Sequence, residues 1–267
     1  MEGTHNTPMN RRHSRFRTGA FAPLALPLAL AVIAGCGAPD AAAGRSPASA
    51  PAAREAATAL TAARLDELSL AASDLEGFDV RKPGAAETLT EDDVRTGEAD
   101  CAPVSRVMWG VALGDPAATA QRRVTSALDD TAIDAAESAE ELDAAFTVTS
   151  TTVSLASYDT EEQAQAAFES LSDGIAACDG GFRSTAGGTR DDGGVSAGTA
   201  PEAGDEAVAF TATIGEDGGS LGPVRAVVFR RGGTLAQFST VNAAAVVSGE
   251  DWDFPTVLVD AQEAKLG

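Results

Sequence analysis

The first 35 residues are the feature that most constrains the fold, because they are predicted to be a segment that is removed and takes no part in the folded domain. A basic segment at 11–17 is followed by an apolar run at 20–35 that contains Pro23 and Pro27. The run is about 15 residues long, short of the roughly 20 that a helix needs to cross a bilayer. This pattern predicts a secretory signal peptide, with Met9 as an alternative start. The folded part of the chain is therefore expected beyond residue 35, outside the cytoplasm.

The predicted signal segment ends in Ile33-Ala34-Gly35-Cys36. This sequence resembles a bacterial lipobox, in which the cysteine thiol is lipidated and the cysteine becomes the new N-terminus. The alternatives are an ordinary signal peptide that happens to contain a cysteine, and an uncleaved anchor. Two or more acyl chains are enough for stable anchoring. We therefore expect Cys36 to hold the protein at the outer face of the cell membrane.

Residues 37–55 are rich in Ala, Pro, Ser and Gly and offer little that a core could bury. Such a composition predicts a flexible tether with a reach of about 25 Å. The chain is therefore divided into a signal peptide at 1–35, a disordered tether at 36–55 and a single folded domain at 56–267.

Two cysteines, Cys101 and Cys178, remain in the predicted domain. In an oxidising compartment, two cysteines in one domain most simply form a disulfide. Cys178 follows a helical segment at 161–177 with one apolar stripe, and Cys101 opens a second predicted helix, so the bond would join two helices. The alternative is two separate buried thiols. A redox role is not indicated, since there is no CxxC motif and no cationic cluster beside either thiol.

Hydrophobic periodicity predicts an α+β domain with a mostly antiparallel sheet and helices packed on one side of it. Helices are predicted at 56–73, 99–111, 161–177 and 256–266. Strands are predicted at 78–81, 121–126, 146–158, 205–214, 224–231 and 234–241. Gly232-Gly233 separates the last two strands and suits the positive φ values of a tight hairpin turn.

Three segments carry further structural expectations. The strand at 146–158 changes its phase of alternation, so a bulge or a bend is expected near 150–152. The segment 183–204 contains six glycines and is expected to be a mobile surface loop or a flap over a binding cleft. The segment 128–143 has seven acids and no base, and is expected to be a solvated surface rather than a metal site.

Composition excludes several classes of activity. Both histidines, His5 and His13, lie in the leader, so the mature chain cannot build a Ser-His-Asp or Cys-His catalytic centre or a His-ligated metal site. Removing the leader takes four basic residues and one acidic residue from totals of 19 and 40, which leaves a net charge of −24. That charge repels phosphate backbones, so no nucleic acid partner is expected. There is no Ser-x-x-Lys motif and no Gly-rich phosphate loop after a strand. We therefore expect no catalytic residues, no metal and no cofactor.

Several short motifs together resemble actinobacterial surface lipoproteins that are similar to the PknH-like extracellular sensor domain. The motifs, spread over the lipobox and residues 60–267, are Cys36, Ser73-Asp74-Leu75-Glu76-Gly77-Phe78, Cys101, the helix before Cys178, Gly204-Asp205-Glu206-Ala207 and Ala261-Gln262-Glu263-Ala264-Lys265-Leu266. The resemblance implies an α+β domain with a cleft for an unidentified extracellular ligand. Kinase-linked members carry two disulfides where this chain has one pair of cysteines. This chain also has no kinase or transmembrane segment, so an envelope protein would have to carry any signal further.

These observations predict a lipid-anchored, extracytoplasmic ligand-binding or sensor-type domain without catalytic activity. The ligand is expected to be a small molecule, a lipid or a peptide. Trp109 and Trp252 are the candidate ligand-binding residues, because two tryptophans stand out in a chain with few aromatic residues; ordinary core packing is the alternative. An envelope lipid carrier or assembly chaperone with a wide apolar cavity is the second functional hypothesis.

Overall fold

An antiparallel sheet of seven strands, in the order β1-β3-β4-β10-β9-β8-β7, organises the fold, and β2, β5 and β6 form a second, smaller sheet. The strands are β1 Phe78–Arg81, β2 Val94–Thr96, β3 Ala118–Ser126, β4 Thr149–Ser157, β5 Phe182–Ala186, β6 Thr189–Gly193, β7 Val195–Gly198, β8 Glu206–Glu216, β9 Gly219–Arg231 and β10 Thr234–Asn242. The helices are α1 Ala62–Leu68, α2 Ala102–Met108, α3 Asp130–Ala135, α4 Glu161–Ala177, α5 Ala243–Ser248 and α6 Val257–Leu266. The α+β class and the antiparallel sheet are confirmed.

The computed structural model describes residues 58–128, 130–138, 141, 145, 147–186, 189–216, 219–248 and 251–267. These residues belong to one compact unit, Ala53–Gly267. The signal peptide, Cys36 and the tether lie outside the described residues, and so does Phe146 at the start of the predicted long strand. Within the described part of the chain, no helix is both long enough and apolar enough to span a membrane.

Each face of the large sheet buries its own hydrophobic cluster. On one face α2 and α4 pack over β8, β9 and β10, with Phe168 and Leu171 of α4 among the buried residues. On the other face α1 and α6 pack over a cluster that includes Phe229 and Phe238. Helices expected on one side of the sheet are therefore divided between its two faces.

The Cys101–Cys178 disulfide predicted from the sequence is confirmed, with a Cα–Cα distance of 5.9 Å. It joins the start of α2 to the end of α4. The predicted bounds of α4 are also confirmed: Thr160 caps its first turn by accepting from the backbone N–H of Gln163 at 3.2 Å. A capped first turn and a continuous apolar stripe both favour helix here.

The predicted first helix is too long. It is limited to α1, and a separate 3-10 turn follows at Ala72–Asp74. Ser69 ends α1 with extended backbone, and its hydroxyl donates to the carbonyl of Leu65 at 2.8 Å. A serine that bonds to the preceding turn competes with helix continuation, and this ending lets Leu70 enter the core, where it is fully buried.

β4 has no bulge at 150–152, which was one of the two features expected there. The pairing of β4 with β10 runs without a break from Thr149 opposite Asn242 to Ser157 opposite Thr234. The sequence alternation changes because β4 is covered on both faces, so that Thr151 and Ser154 are as buried as Val153. Strands buried on both faces need not alternate between apolar and polar residues.

The expected loop or flap at 183–204 is also wrong, because most of this segment forms strands. β5 and β6 pair with each other, and β7 pairs with β8 as the last strand of the large sheet. The glycines here allow close backbone approach: a Cβ on Gly193 would lie 1.6 Å from the carbonyl oxygen of Thr213. At Gly193, the absence of a side chain therefore allows two strands to pack closely.

Candidate ligand-binding cleft

The candidate site lies where α2 ends above the large sheet. Trp109 follows the last residue of the helix, and Gly110 turns the chain with φ +72°. A Cβ on Gly110 would lie 2.6 Å from Cγ2 of Thr152 on β4. Only glycine combines this left-handed conformation with so close an approach, so the end of α2 lies directly against the strand.

Side chains from three adjacent strands hold this end of the helix. Ser239 of β10 donates to the carbonyl of Met108 at 2.6 Å. Ser154 of β4 and Gln121 of β3 donate to the carbonyl of Gly110 at 2.8 and 2.6 Å. The last carbonyls of a helix have no partner within the helix. The sheet therefore supplies the C-terminal cap of α2.

The indole of Trp109 is fixed by a separate hydrogen bond. Its Nε1–H donates to the hydroxyl of Ser184 on β5 at 2.9 Å. Ser184 is buried and shares a 2.5 Å hydrogen bond with Ser105 of α2. With the disulfide at Cys101, α2 is held at both ends, and the indole has a defined orientation.

Trp109 lines a cleft of about 280 Å³ on this face of the sheet, which we call the Trp109 cleft. Its walls combine apolar side chains with hydroxyl groups and two charged residues. The lining consists of Glu87, Leu89, Met108, Trp109, Arg123, Ser150, Thr152, Val224, Ser239 and Val241. Such a mixture, mostly apolar with a few fixed polar groups, is typical of small-molecule sites.

The carboxylate of Glu87 is already bound within the protein. It accepts from both terminal nitrogens of Arg81, at 2.6 and 2.8 Å, and from the backbone N–H of Gly84 at 3.0 Å. These bonds, first of all the one from Arg81, lower the pKa of Glu87 to about 2. Glu87 is therefore ionised at neutral pH and has little basicity to offer a ligand.

A second, more polar cleft of about 430 Å³ adjoins the first, and Leu89 contributes to both linings. Its wall includes Asp66, which accepts from Lys82 and from Arg122, both at 2.9 Å. These hydrogen bonds lower the pKa of Asp66. Both ion pairs are made by the same oxygen, Oδ1 of Asp66. The half-buried side chain of Leu89 lies between the two clefts.

Trp252, the second candidate residue, does not line the Trp109 cleft. The guanidinium of Arg225 lies 5.3 Å from the centre of its ring, and Arg225 also pairs with Asp251. Arg225 follows Val224, which lines the Trp109 cleft, and successive strand residues point to opposite faces. The two tryptophans therefore lie on opposite faces of the sheet. The indole nitrogen of Trp252 is buried without a hydrogen-bond partner.

Among the described residues, no group of three or more His, Cys, Asp or Glu side chains is arranged to hold a metal ion. The lipidation site Cys36 lies outside the described residues. The cavities that we identify range from about 280 to 530 Å³, and hydroxyl or charged side chains line each of them.

Trp109 stays a predicted ligand-binding residue, and the sequence did not predict the residues that position it. Gln121, Ser154 and Ser239 are polar residues within strands, and nothing local distinguishes them from solvent-facing positions. Arg123 lies within a predicted strand, and nothing in the local sequence marks it as a residue of a binding site. The one available signal was Gly110, a glycine directly after a helix, which is the usual position for a chain reversal.

Comparison with known proteins finds similar solved structures but no related sequence family. No family model and no curated protein matches the chain. Among solved structures, the chain is similar to the extracellular domain of PknH from Mycobacterium tuberculosis, with 12% sequence identity and a TM-score of 0.46. The match covers 78% of this chain and 95% of that domain. Membership of the family that the short motifs resemble stays a prediction.

Proposed function

We propose that this domain binds a small molecule in the Trp109 cleft, without converting it, at the outer face of a membrane to which Cys36 is anchored. The observation that carries this proposal is the Trp109 cleft itself. Its aromatic wall is held by the hydrogen bond to Ser184, and its helix is capped by the sheet and linked to α4 by the disulfide.

A rigid cleft supports binding for an energetic reason. Ordering flexible side chains at an interface costs about 0.5–1.5 kcal/mol for each one immobilised. Trp109 is already ordered by Ser184, and the backbone on either side of it is bound to Ser239 and Ser154. A ligand that stacks on the indole therefore loses little of its affinity to ordering the site.

The charged groups of the cleft support binding without catalysis. A general base needs a pKa near the working pH and a free lone pair within reach of the substrate. Glu87 has a pKa of about 2, and its oxygens are bound to Arg81 and Gly84. The other charged lining residue, Arg123, is a permanent cation. This pair is suited to recognition and unsuited to proton transfer.

The anchor and the partner complete the proposal. The sequence at 33–36 predicts a lipidated cysteine, and the tether would leave the domain free to meet ligands outside the membrane. A second protein of the envelope would have to read the bound state. Replacing Cys36 with alanine is expected to move the protein from the membrane fraction to the soluble fraction, and retention in the membrane would contradict the anchor.

The two tryptophans make a direct test of the cleft. The full chain is labelled with ¹⁵N and screened against a library of small fragments, and the two indole N–H resonances are assigned with Trp109→Phe and Trp252→Phe variants. Binding fragments are expected to shift the Trp109 resonance and leave that of Trp252 unchanged. The proposed site is refuted if every fragment that binds leaves the Trp109 resonance unchanged, or if no fragment binds at all. A lipid that remains bound in native mass spectra would favour the carrier hypothesis.

A further inference from the structure

Arg123 is the cation of the Trp109 cleft. It lies on β3, directly opposite Arg81 of β1 and Thr152 of β4. Side chains at directly paired positions point to the same face, and two like charges there are unfavourable unless a counter-charge is present. The electrostatics of this corner therefore depend on how the nearby carboxylates are shared between the two arginines.

The carboxylates near Arg81 and Arg123 interact mainly with Arg81. Glu87 binds Arg81 through both of its oxygens. Asp79, two residues earlier on the same face of β1, also raises the pKa of Arg81 through its charge. Arg123 interacts with Glu87 only through the electric field, as a minor influence on the pKa of Glu87. Within the described ranges, no carboxylate lies within salt-bridge distance of Arg123.

The remainder of the lining favours an apolar ligand body. Leu89, Met108, Trp109, Val224 and Val241 provide apolar surface around the guanidinium. A guanidinium presents parallel N–H groups that match a carboxylate, and charge-assisted hydrogen bonds are stronger than neutral ones. The net charge of −21 for the whole chain disfavours multiply charged anions. A ligand with a single negative charge next to an apolar body fits the apolar lining, the guanidinium and the negative charge of the chain.

We infer that the Trp109 cleft takes a small monocarboxylic acid, with its apolar body against Trp109 and Met108 and its carboxylate on Arg123. This inference rests on the proposed function, since it specifies the ligand class of the same cleft. A volume of about 280 Å³ sets the scale of the body at about one ring with a short side chain, near the lower end of the range for small-molecule pockets.

Three probes of nearly equal shape separate charge from shape: 3-phenylpropionate, its neutral amide and 3-phenylpropylamine. Binding to the full chain is measured by calorimetry and by the Trp109 indole resonance. The acid is expected to bind about 10- to 100-fold more tightly than the amide, in line with one charge-assisted hydrogen-bonded pair. The amine is expected to bind most weakly.

Arg123→Gln is expected to reduce the affinity for the acid to that for the amide, and Arg123→Lys is expected to recover part of the loss. Arg95→Gln is the matched control, because Arg95 is an exposed arginine on β2 that does not line the cleft. It should leave the affinity for the acid unchanged. The comparison of acid and amide on the wild-type chain needs no variant, so the inference can be tested even if Arg123→Gln does not fold.

The outcomes separate the two proposals. Equal binding of acid and amide, or an acid affinity that Arg123→Gln leaves unchanged, would overturn the ligand class while the Trp109 cleft stands. Failure of all three probes in a chain that does bind other fragments at Trp109 would overturn the ligand class in the same way. Only the failure of every fragment to perturb Trp109 would overturn the proposed function.

Discussion

Replacing Gly110 with alanine tests whether the end of α2 is fixed against the sheet. Gly110 has φ +72°, and an added Cβ would lie 2.6 Å from Cγ2 of Thr152. The left-handed conformation costs a non-glycine residue about 1–2 kcal/mol. An extra methyl group in a tightly packed contact costs about 1–3 kcal/mol more. We therefore expect Gly110→Ala to lower the free energy of unfolding by about 2–5 kcal/mol.

Two further variants separate these costs. Gly77 has nearly the same backbone conformation, φ +77°, and a Cβ there would meet nothing within 4 Å. Gly77→Ala should therefore cost only the conformational part, about 1–2 kcal/mol. Thr152→Ser removes the methyl group that Gly110→Ala would contact. In that background, Gly110→Ala is expected to cost less than in the wild-type chain but somewhat more than Gly77→Ala, because the new Cβ would still lie 3.1 Å from Cβ of residue 152.

Urea unfolding followed by circular dichroism gives the free energy of unfolding for each variant, provided that the slope with denaturant is unchanged. Equal losses for Gly110→Ala and Gly77→Ala would refute the close contact with Thr152. So would a loss for Gly110→Ala that Thr152→Ser does not reduce. Either result would mean that the wall of the Trp109 cleft is not held as the structure indicates.

Three other perturbations follow from the structure. Replacing both Cys101 and Cys178 with alanine opens a link across 77 positions and should lower the free energy of unfolding by about 4 kcal/mol; a loss below about 1 kcal/mol in urea unfolding would contradict the loop-entropy argument. The pKa of Glu87 is lowered from 4.5 to about 2 in the folded protein, so its stabilising contribution is complete above pH 4.5 and declines as the pH falls toward 2. Glu87→Gln should therefore reduce the loss of unfolding free energy between pH 4.5 and pH 2 in acid titrations. An unchanged pH profile would argue against the ion pair with Arg81. Trp252→Phe keeps a ring beside Arg225 and removes a buried N–H without a partner, so thermal unfolding should change by less than about 1 kcal/mol, whereas a larger loss would reveal a partner for that nitrogen.

Features that depend on local sequence were predicted well. The bounds of α4 followed from an apolar stripe and a capping residue, and β1 was found at Phe78–Arg81 as predicted. The disulfide followed from the count of cysteines and the predicted export of the chain. In each case the deciding interactions lie within a few residues or involve a single possible pair, so that the sequence pattern carries most of the information.

Features that depend on distant partners were predicted poorly. β5, β6 and β7 lie in a glycine-rich segment whose pairing is decided by strands elsewhere in the chain. The phase of β4 could not indicate a strand covered on both faces. The cap on α2 brings together Gln121, Ser154 and Ser239 from three strands. The sequence could single out Trp109 as a candidate because tryptophan is rare in this chain, but it could not indicate the residues that strand register brings next to Trp109.

The position of β10 in the large sheet has a consequence for the order of folding. β1, β3 and β4 form one antiparallel group, β7, β8 and β9 form another, and β10 pairs with β4 on one side and β9 on the other. The β9–β10 hairpin is local, whereas β4 and β10 are separated by most of the domain's second half. Pairing β4 with β10 is slow, because the conformational entropy of the long loop between them is lost before their contacts form. Until residues 234–242 have been synthesised, β4 has a bare edge, so the domain can complete its sheet only when nearly the whole chain is available.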